Sequence, residues 1–479
     1  MREPVLRHRR GRRWLACAVA LCVASVLGGV LPAQLRAHAT RGVVGNFVYL
    51  GTQRVSPLDC LKLGIRCFTP HALQNTYGLP ALYAQGLNGG GQTIAIIDAF
   101  GSSAIRSDLN VFSTTFALPH LCGEARYTCR PGDATFSTLQ LQGAPATVSH
   151  STDDGAGLQS SAPWIAETTL DVEWAHAVAP RASILLVTTP TAETLGVQGF
   201  PQMIAAEDYV IKHHLASVIS QSFASAEEAF SSPSSLQRLR YAFKDALAGQ
   251  VTVLASSGDN GTANVRKQPV HRPQLIPYPT VEWPASDPLV TAVGGTSVCT
   301  DAATGLKVDS VNPPTACQEN PGQREVAWPA SGGGFSHVFA RPAYQDGVVG
   351  RATRGLPDVA YQADPATGVI VFVTTPGNPG DWFSFGGTSS GSPQWAGLVA
   401  IACQINGGPL GYLNPALYRI ATDPARRGAD FHDVTVGNNQ IDPTIPGFFA
   451  RPGWDAVTGW GTPNAARLLP DLVAAVRGQ

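Results

Sequence analysis

Five short, continuous apolar runs, Thr93–Asp98, Ser183–Val187, Val218–Ser222, Val251–Ala255 and Leu289–Val293, set the terms for what this chain can become. Helix-like stretches at Pro163–Val178, Pro201–His214 and Leu236–Ala248 lie between them. Runs that are apolar at every position belong to strands buried on both faces. Strand, helix and strand in succession build βαβ units. The expected architecture is α/β: a mainly parallel sheet flanked by helices on both faces. At 44% hydrophobic and 14% charged, the 479 residues can bury a large core, and this composition excludes a disordered chain. There is no internal repeat. Gly/Pro/Ser-rich stretches at 123–159 and 263–280 read as surface loops.

Six arginines between Arg2 and Arg13 precede an apolar run from Trp14 to Leu31, and Ala37-His38-Ala39 offers small residues at a cleavage point. Residues 1–39 are therefore expected to be a signal peptide, and the protein to be secreted. The length of the apolar run leaves a retained membrane anchor as the alternative. Without the seven arginines and one glutamate of that segment, the rest of the chain is distinctly acidic, so nucleic acid is not an expected partner. Cys17 and Cys22 leave with the signal. Cys60/Cys67, Cys122/Cys129 and Cys299/Cys317 are local pairs suited to disulfides in an oxidising compartment, and Cys403 is left within an apolar helix.

Function in open α/β sheets gathers at the carboxyl ends of strands. Asp98, Ser222-Phe223-Ala224 and Ser256-Ser257-Gly258-Asp259-Asn260-Gly261 stand at three such ends. A fourth stretch, Phe385-Gly386-Gly387-Thr388-Ser389-Ser390-Gly391-Ser392-Pro393, runs from the β-rich segments Val369–Thr374 and Trp382–Phe385 into an apolar helix, Gln394–Ile405. The glycines permit a tight turn, Pro393 suits a first helical turn, and Ser389 stands where helix-terminal N–H groups can face an anion. Ser389 is the candidate nucleophile, although the stretch also reads as a plain Gly/Ser turn before a core helix. A serine needs a base. None of the eleven histidines is followed by Gly-Thr, as a subtilisin-type helix start would require. Glu167 and Asp171, four apart, share one face of a mostly apolar helix, with Glu173 on another. Such a pair either faces solvent or shares a proton, and spacing leaves both open. Asp259 either bonds its own turn or, protonated, donates to an oxyanion. Asp433, Val434, Arg451, Gly453 and Asp455 read as turn residues or as oxygen ligands for Ca²⁺.

Taken in order, these segments resemble the sedolisin family, the serine-carboxyl peptidases with a subtilisin-like fold. The likeness runs from about Thr69 to the C-terminus. It rests on Gly386-Gly387-Thr388-Ser389 with Pro393, on Glu167-x-x-x-Asp171 followed by Ala179-Pro180-x-Ala182, and on Ser257-Gly258-Asp259. Trp283-Pro284-Ala285-Ser286-Asp287-Pro288, Val293-Gly294-Gly295-Thr296, Ser331-Gly332-Gly333-Gly334-Phe335-Ser336 and Leu356-Pro357-Asp358-Val359-Ala360 support it. The resemblance implies that Ser389 attacks the peptide carbonyl, Glu167 moves the proton, Asp171 supports Glu167, and Asp259 shares the oxyanion with the Ser389 N–H. Asp98 takes a supporting place. The resemblance also implies one structural Ca²⁺ at Asp433, Val434, Arg451, Gly453 and Asp455, the aspartates through side chains and the others through carbonyls.

Three departures stand out. Only a short lead-in, residues 40–68, separates the signal from a single catalytic domain at 69–479, where the family carries a large prodomain. Ala224 stands where glycine is general, and Arg451 where glycine is common. The expected function is a secreted, acid-active serine endopeptidase acting as a monomer on proteins or peptides, away from membranes once the signal is removed. A catalytically silent peptide- or partner-binding protein of the same fold is the alternative, and a hydrolase with a histidine base is a third reading.

Overall fold

The computed structural model describes residues 46–53, 56–141, 161–193, 199–267 and 273–478. The predicted signal peptide lies outside them. In chain order, the elements that position the site are β1 (Phe47–Gly51), β2 (Arg66–Phe68), β3 (Thr93–Ala99), β4 (Phe136–Gln140), α1 (Ser161–Val178), β5 (Ser183–Thr189) and α2 (Phe200–Lys212). They continue with β6 (Val218–Gln221), α3 (Tyr241–Gly249), β7 (Thr252–Ser256), β8 (Thr291–Val298), β9 (Glu325–Ala327), β10 (Val359–Gln362), β11 (Thr367–Val373), β12 (Asp381–Phe385) and α4 (Thr388–Asn406).

The five apolar runs are neighbouring strands of one sheet, ordered β9-β8-β7-β6-β3-β5-β4, with β10 also paired to β8. Every pairing in it is parallel except β8 with β9. Successive side chains of β3 point to opposite faces, and both faces are covered. Ile94 and Ile96 pack with Trp174 of α1 and Leu398 and Val399 of α4. Ala95 and Ile97 pack with Met203 and Ile204 of α2 and Phe243 and Ala246 of α3. This is the α/β sheet with helices on both faces that the sequence predicts. The predicted helix Leu236–Ala248 is broken by a tighter turn at Arg238–Arg240, and α3 follows it.

The segment at 46–68 is not detached from the catalytic region. β1 pairs antiparallel with β12, and β2 pairs parallel with β11, giving a second sheet in the order β1-β12-β11-β2. Strands of five and three residues are too short to show a period, and their order comes from pairing with the β11–β12 hairpin. The three local disulfides, Cys60–Cys67, Cys122–Cys129 and Cys299–Cys317, are present, and Cys403 is buried.

Pro393 is not in the first turn of α4. The helix starts at Thr388, behind a Gly387 N-cap, which places the proline inside it. Its missing N–H leaves the Ser389 carbonyl without an intrahelical donor, and the Ser222 hydroxyl donates there instead at 3.5 Å. Deeper in α4, a Cβ at Gly397 would lie 2.8 Å from the Val178 side chain. Helices α1 and α4 therefore approach closely enough to hold Glu167 and Ser389 in fixed relation.

The far side of the sheet is tied by a fully buried ion pair. Arg354 donates to both oxygens of Asp358 at 2.8 and 2.6 Å, the Tyr418 hydroxyl donates to one at 3.0 Å, and the Ala292 N–H of β8 donates to the other at 2.8 Å. Removing the guanidinium leaves a buried charge unpaired, so Arg354→Ala is expected to cost ~3–5 kcal/mol in urea unfolding. A loss below about 1 kcal/mol would show that Asp358 finds solvent instead.

Candidate active site

Three strands and two helices converge at the carboxyl edge of the sheet. β3 ends at Asp98, β6 leads into Ser222, β7 leads into Ser257-Gly258-Asp259, α1 carries Glu167 and Asp171, and α4 opens with Ser389. From Thr388 to Cys403 every residue of α4 is buried except Ser389. A core helix thus presents one hydroxyl to the cleft.

Glu167 and Asp171 do not face solvent. Asp171 is fully buried beside Asp98, and Glu167 is half-buried with the Ser389 hydroxyl against its carboxyl. Burial raises the Asp98 pKa to about 7, against a small opposing pull from the Thr168 hydroxyl. Burial raises Glu167 to about 8, with the charges of Asp98 and Asp259 adding to it and the Ser389 hydroxyl drawing it back. Asp171 is pushed well above the carboxylate range by burial and then by Asp98 and Glu167. Among the described residues, no lysine or arginine offsets any of the three. Both oxygens of Asp98 and of Asp171, and Oε1 of Glu167, lack a hydrogen-bond partner of normal geometry among the described residues. Carboxyls packed in this way hold protons in common. Glu173 turns away, fully buried, and accepts from the Phe372 N–H at 3.1 Å.

Asp259 meets α4 at Thr388, the residue before Ser389. Its Oδ1 accepts from the Thr388 N–H at 2.7 Å and the Thr388 hydroxyl at 2.8 Å, and that hydroxyl accepts from the Gly258 N–H at 3.0 Å. A side chain at Gly387 (φ +90°) would lie 2.6 Å from Asp259 Oδ2, so only glycine fits between the acid and the helix start. Burial raises the pKa of Asp259, and these donors draw it back. The Ser389 N–H, in the first turn of α4, has no acceptor among the described residues.

Asp98, read as support at a strand end, lies within the carboxyl cluster itself. Other members of the site escape the sequence. Glu193 is raised to about 8 by burial, with Glu167, Asp98 and Glu282 adding; Glu282 is raised to about 7 by burial and then by Asp259. An acid set directly before the apolar Trp283 was the available signal for Glu282. Asn46, whose side-chain amide donates to Asp259 Oδ2, has no signal in the sequence at all.

The five candidate calcium ligands fall in adjoining loops. The Gly453 N–H donates to Asp433 Oδ2 at 2.7 Å, and the Arg451 N–H to Asp455 Oδ2 at 3.0 Å. Val434 is buried beside them. Asp433 Oδ1 is buried with no partner. An orphaned carboxylate oxygen beside a second carboxylate and loop carbonyls fits a hard cation. No group of three or more His, Cys, Asp or Glu among the described residues could hold a metal ion.

No protein-family model matches the chain. Against curated proteins, it is 32% identical over 422 residues to kumamolisin of Bacillus sp. (strain MN-32), covering 85% of this chain and 64% of that protein. It is 31% identical over 336 residues to tripeptidyl-peptidase 1 of Homo sapiens, covering 64% and 52%. The chain thus spans less than two thirds of the length of these relatives. Among solved structures, Pseudomonas sedolisin (serine-carboxyl proteinase), complexed with two molecules of pseudo-iodotyrostatin, superposes with a TM-score of 0.65 at 26% identity, covering 87% of this chain and 99% of that one.

Buried acids make stability depend on pH. A carboxyl raised in the folded state binds its proton more tightly there than in the unfolded chain. Its contribution is full below the unfolded value and is lost as pH rises through the folded one. For Glu167 the window runs from the ordinary value of 4.5 to about 8, with Asp98 and Glu282 titrating to about 7. His176, lowered to about 3 by burial, acts in the opposite sense below its ordinary value of 6.5. Unfolding free energy is expected to fall from about pH 5 to pH 8, with a slope of up to about 1.4 kcal/mol per pH unit for each carboxyl in its window, and Glu167→Gln should flatten it. Urea titrations at a series of pH values measure this, and a flat or rising curve would contradict the burial of the cluster.

Proposed function

The chain belongs to the sedolisin family, and from that premise we propose that it is a serine endopeptidase cleaving proteins or peptides on the acid side of neutrality. One observation carries the reading: the only unburied residue in the first turns of α4, Ser389, meets the carboxyl of Glu167 inside a cluster of acids without a cation. In this reading the Ser389 hydroxyl attacks the substrate carbonyl as its proton passes to Glu167. Asp171 and Asp98, by sharing the cluster's protons, keep Glu167 in place to receive it. Glu167 then returns the proton to the leaving amine, and a water repeats the cycle on the acyl-enzyme. The Ser389 N–H and a protonated Asp259 receive the oxyanion, with the second oxygen of Asp259 fixed by Thr388. The free Ser389 N–H supports an active enzyme over a silent binder. His176, on the same helix as Glu167, is buried towards Pro119 and His120, which supports a carboxylate base over an imidazole.

The pH range follows from two requirements. The cluster must have lost one of its shared protons for Glu167 to act as base, a loss that the Ser389 hydroxyl favours by drawing Glu167 down against its burial. Asp259 must keep its proton, so activity ends as pH rises through its raised value. Three disulfides support passage through an oxidising compartment, in line with the predicted signal. Bound Ca²⁺ would neutralise and cross-link the loops of Asp433 and Asp455, with the carbonyls of Val434, Arg451 and Gly453 completing its shell.

Hydrolysis of a quenched-fluorescence peptide library from pH 2 to 8 tests the assignment. Ser389→Ala and Glu167→Ala should each abolish cleavage, and Asp259→Ala should lower kcat by ~10²–10³. Cleavage that survives Glu167→Ala would assign the base elsewhere. Chelation is expected to lower Tm and added Ca²⁺ to restore it, with Asp433→Ala insensitive to both; equal melting of all samples would remove the ion from the reading.

A further inference from the structure

β1 runs antiparallel to β12 with Phe47 opposite Phe385, which brings the residue before it beside the Gly386-Gly387 turn. The Gly386 N–H donates to the Asn46 carbonyl at 2.7 Å, so the backbone of Asn46 is stitched to the turn that presents Ser389. Its side-chain amide then reaches Asp259 Oδ2. Oδ1 of Asp259 is already filled by two donors from Thr388. Oδ2 is therefore the oxygen left to carry a proton to an oxyanion, and it is the one that Asn46 holds.

We propose that Asn46 is a positioning residue of the catalytic site: delivered by β1, its amide orients the outer oxygen of Asp259 and governs how readily that oxygen donates to the oxyanion. The inference rests on the reading of Asp259 as oxyanion donor. Among the described residues, the titratable groups facing Asp259 are Glu167 of α1 and Glu282 ahead of Trp283; both are acids, and no cation faces it. An amide N–H donating to a carboxyl favours the ionised form. Asn46 thus holds down the pH at which Asp259 gives up its proton, and a segment outside the core βαβ units sets the alkaline edge of activity.

The full chain carrying Asn46→Ala or Asn46→Asp tests this through the pH dependence of kcat/KM and of inhibition by a peptide aldehyde, whose adduct with Ser389 places an oxygen at the same donors. With the amide gone, the alkaline limb of both should move up by about one pH unit while the acid limb, which belongs to the Glu167 cluster, stays in place. Asn46→Asp, which sets a second carboxyl beside the first, should move it at least as far. Melting curves of both variants establish that they fold. Limbs that superimpose on wild type, or a loss by one factor at every pH, would overturn the inference. If Asp259→Ala is impaired while both Asn46 variants match wild type, the inference alone falls; if the wild-type chain neither cleaves nor binds the aldehyde, the proposed function falls with it.

Discussion

Buried Asp98 and Asp171 share one pocket with half-buried Glu167, with no cation among the described residues to balance them, and much of this structure follows from that. Desolvation and mutual repulsion make three charges in one pocket costly, so the pocket holds protons into a range where free carboxylates have lost theirs. The hydroxyl that enters the pocket is that of Ser389. A serine beside an ionised carboxylate in water gains little. Beside a desolvated one, whose affinity for a proton is raised, it meets a base strong enough to matter.

Holding that pocket shut requires the surrounding scaffold. α1 and α4 meet at Gly397 against Val178, which fixes the acids of one helix against the serine of the other. The oxyanion side is built from glycine-rich turns stacked on each other. The Gly332 N–H donates to the Gly258 carbonyl at 2.8 Å, next to Asp259. The Ser331 hydroxyl accepts from Gly295 of β8 at 2.9 Å and donates to the Val457 carbonyl at 2.8 Å. Val457 in turn donates its N–H to Asp455 at 2.9 Å. A continuous path of short hydrogen bonds thus joins the candidate calcium loops to the loop of Asp259, and it gives Ser331-Gly332-Gly333-Gly334 a physical purpose that its composition alone does not reveal.

Much of this was legible in the sequence because the sheet is buried on both faces. Thr93–Asp98 and its counterparts are apolar at every position, so strand, sheet type and the strand ends that carry Asp98, Ser222 and Asp259 could all be read. Ser389, Glu167, Asp171 and Asp259 fall together in the structure, although spacing on α1 could not separate a solvated pair from a buried one: that depends on what α4 and β3 bring to the helix. β1 and β2 stayed hidden because their order comes from partners more than three hundred residues away in sequence, and Asn46 with them. Pro393 was misplaced because the helix starts at Thr388, capped by Gly387, rather than at the proline.

The most direct measurement is the rate at which a fluorophosphonate labels the chain as a function of pH, with the modified residue located by mass spectrometry. Labelling should fall on Ser389, rise with pH along the ionisation of the Glu167 cluster, and disappear in Glu167→Ala. Labelling of Ser389 at an unchanged rate and pH dependence in Glu167→Ala would contradict the claim that a buried carboxylate activates this serine.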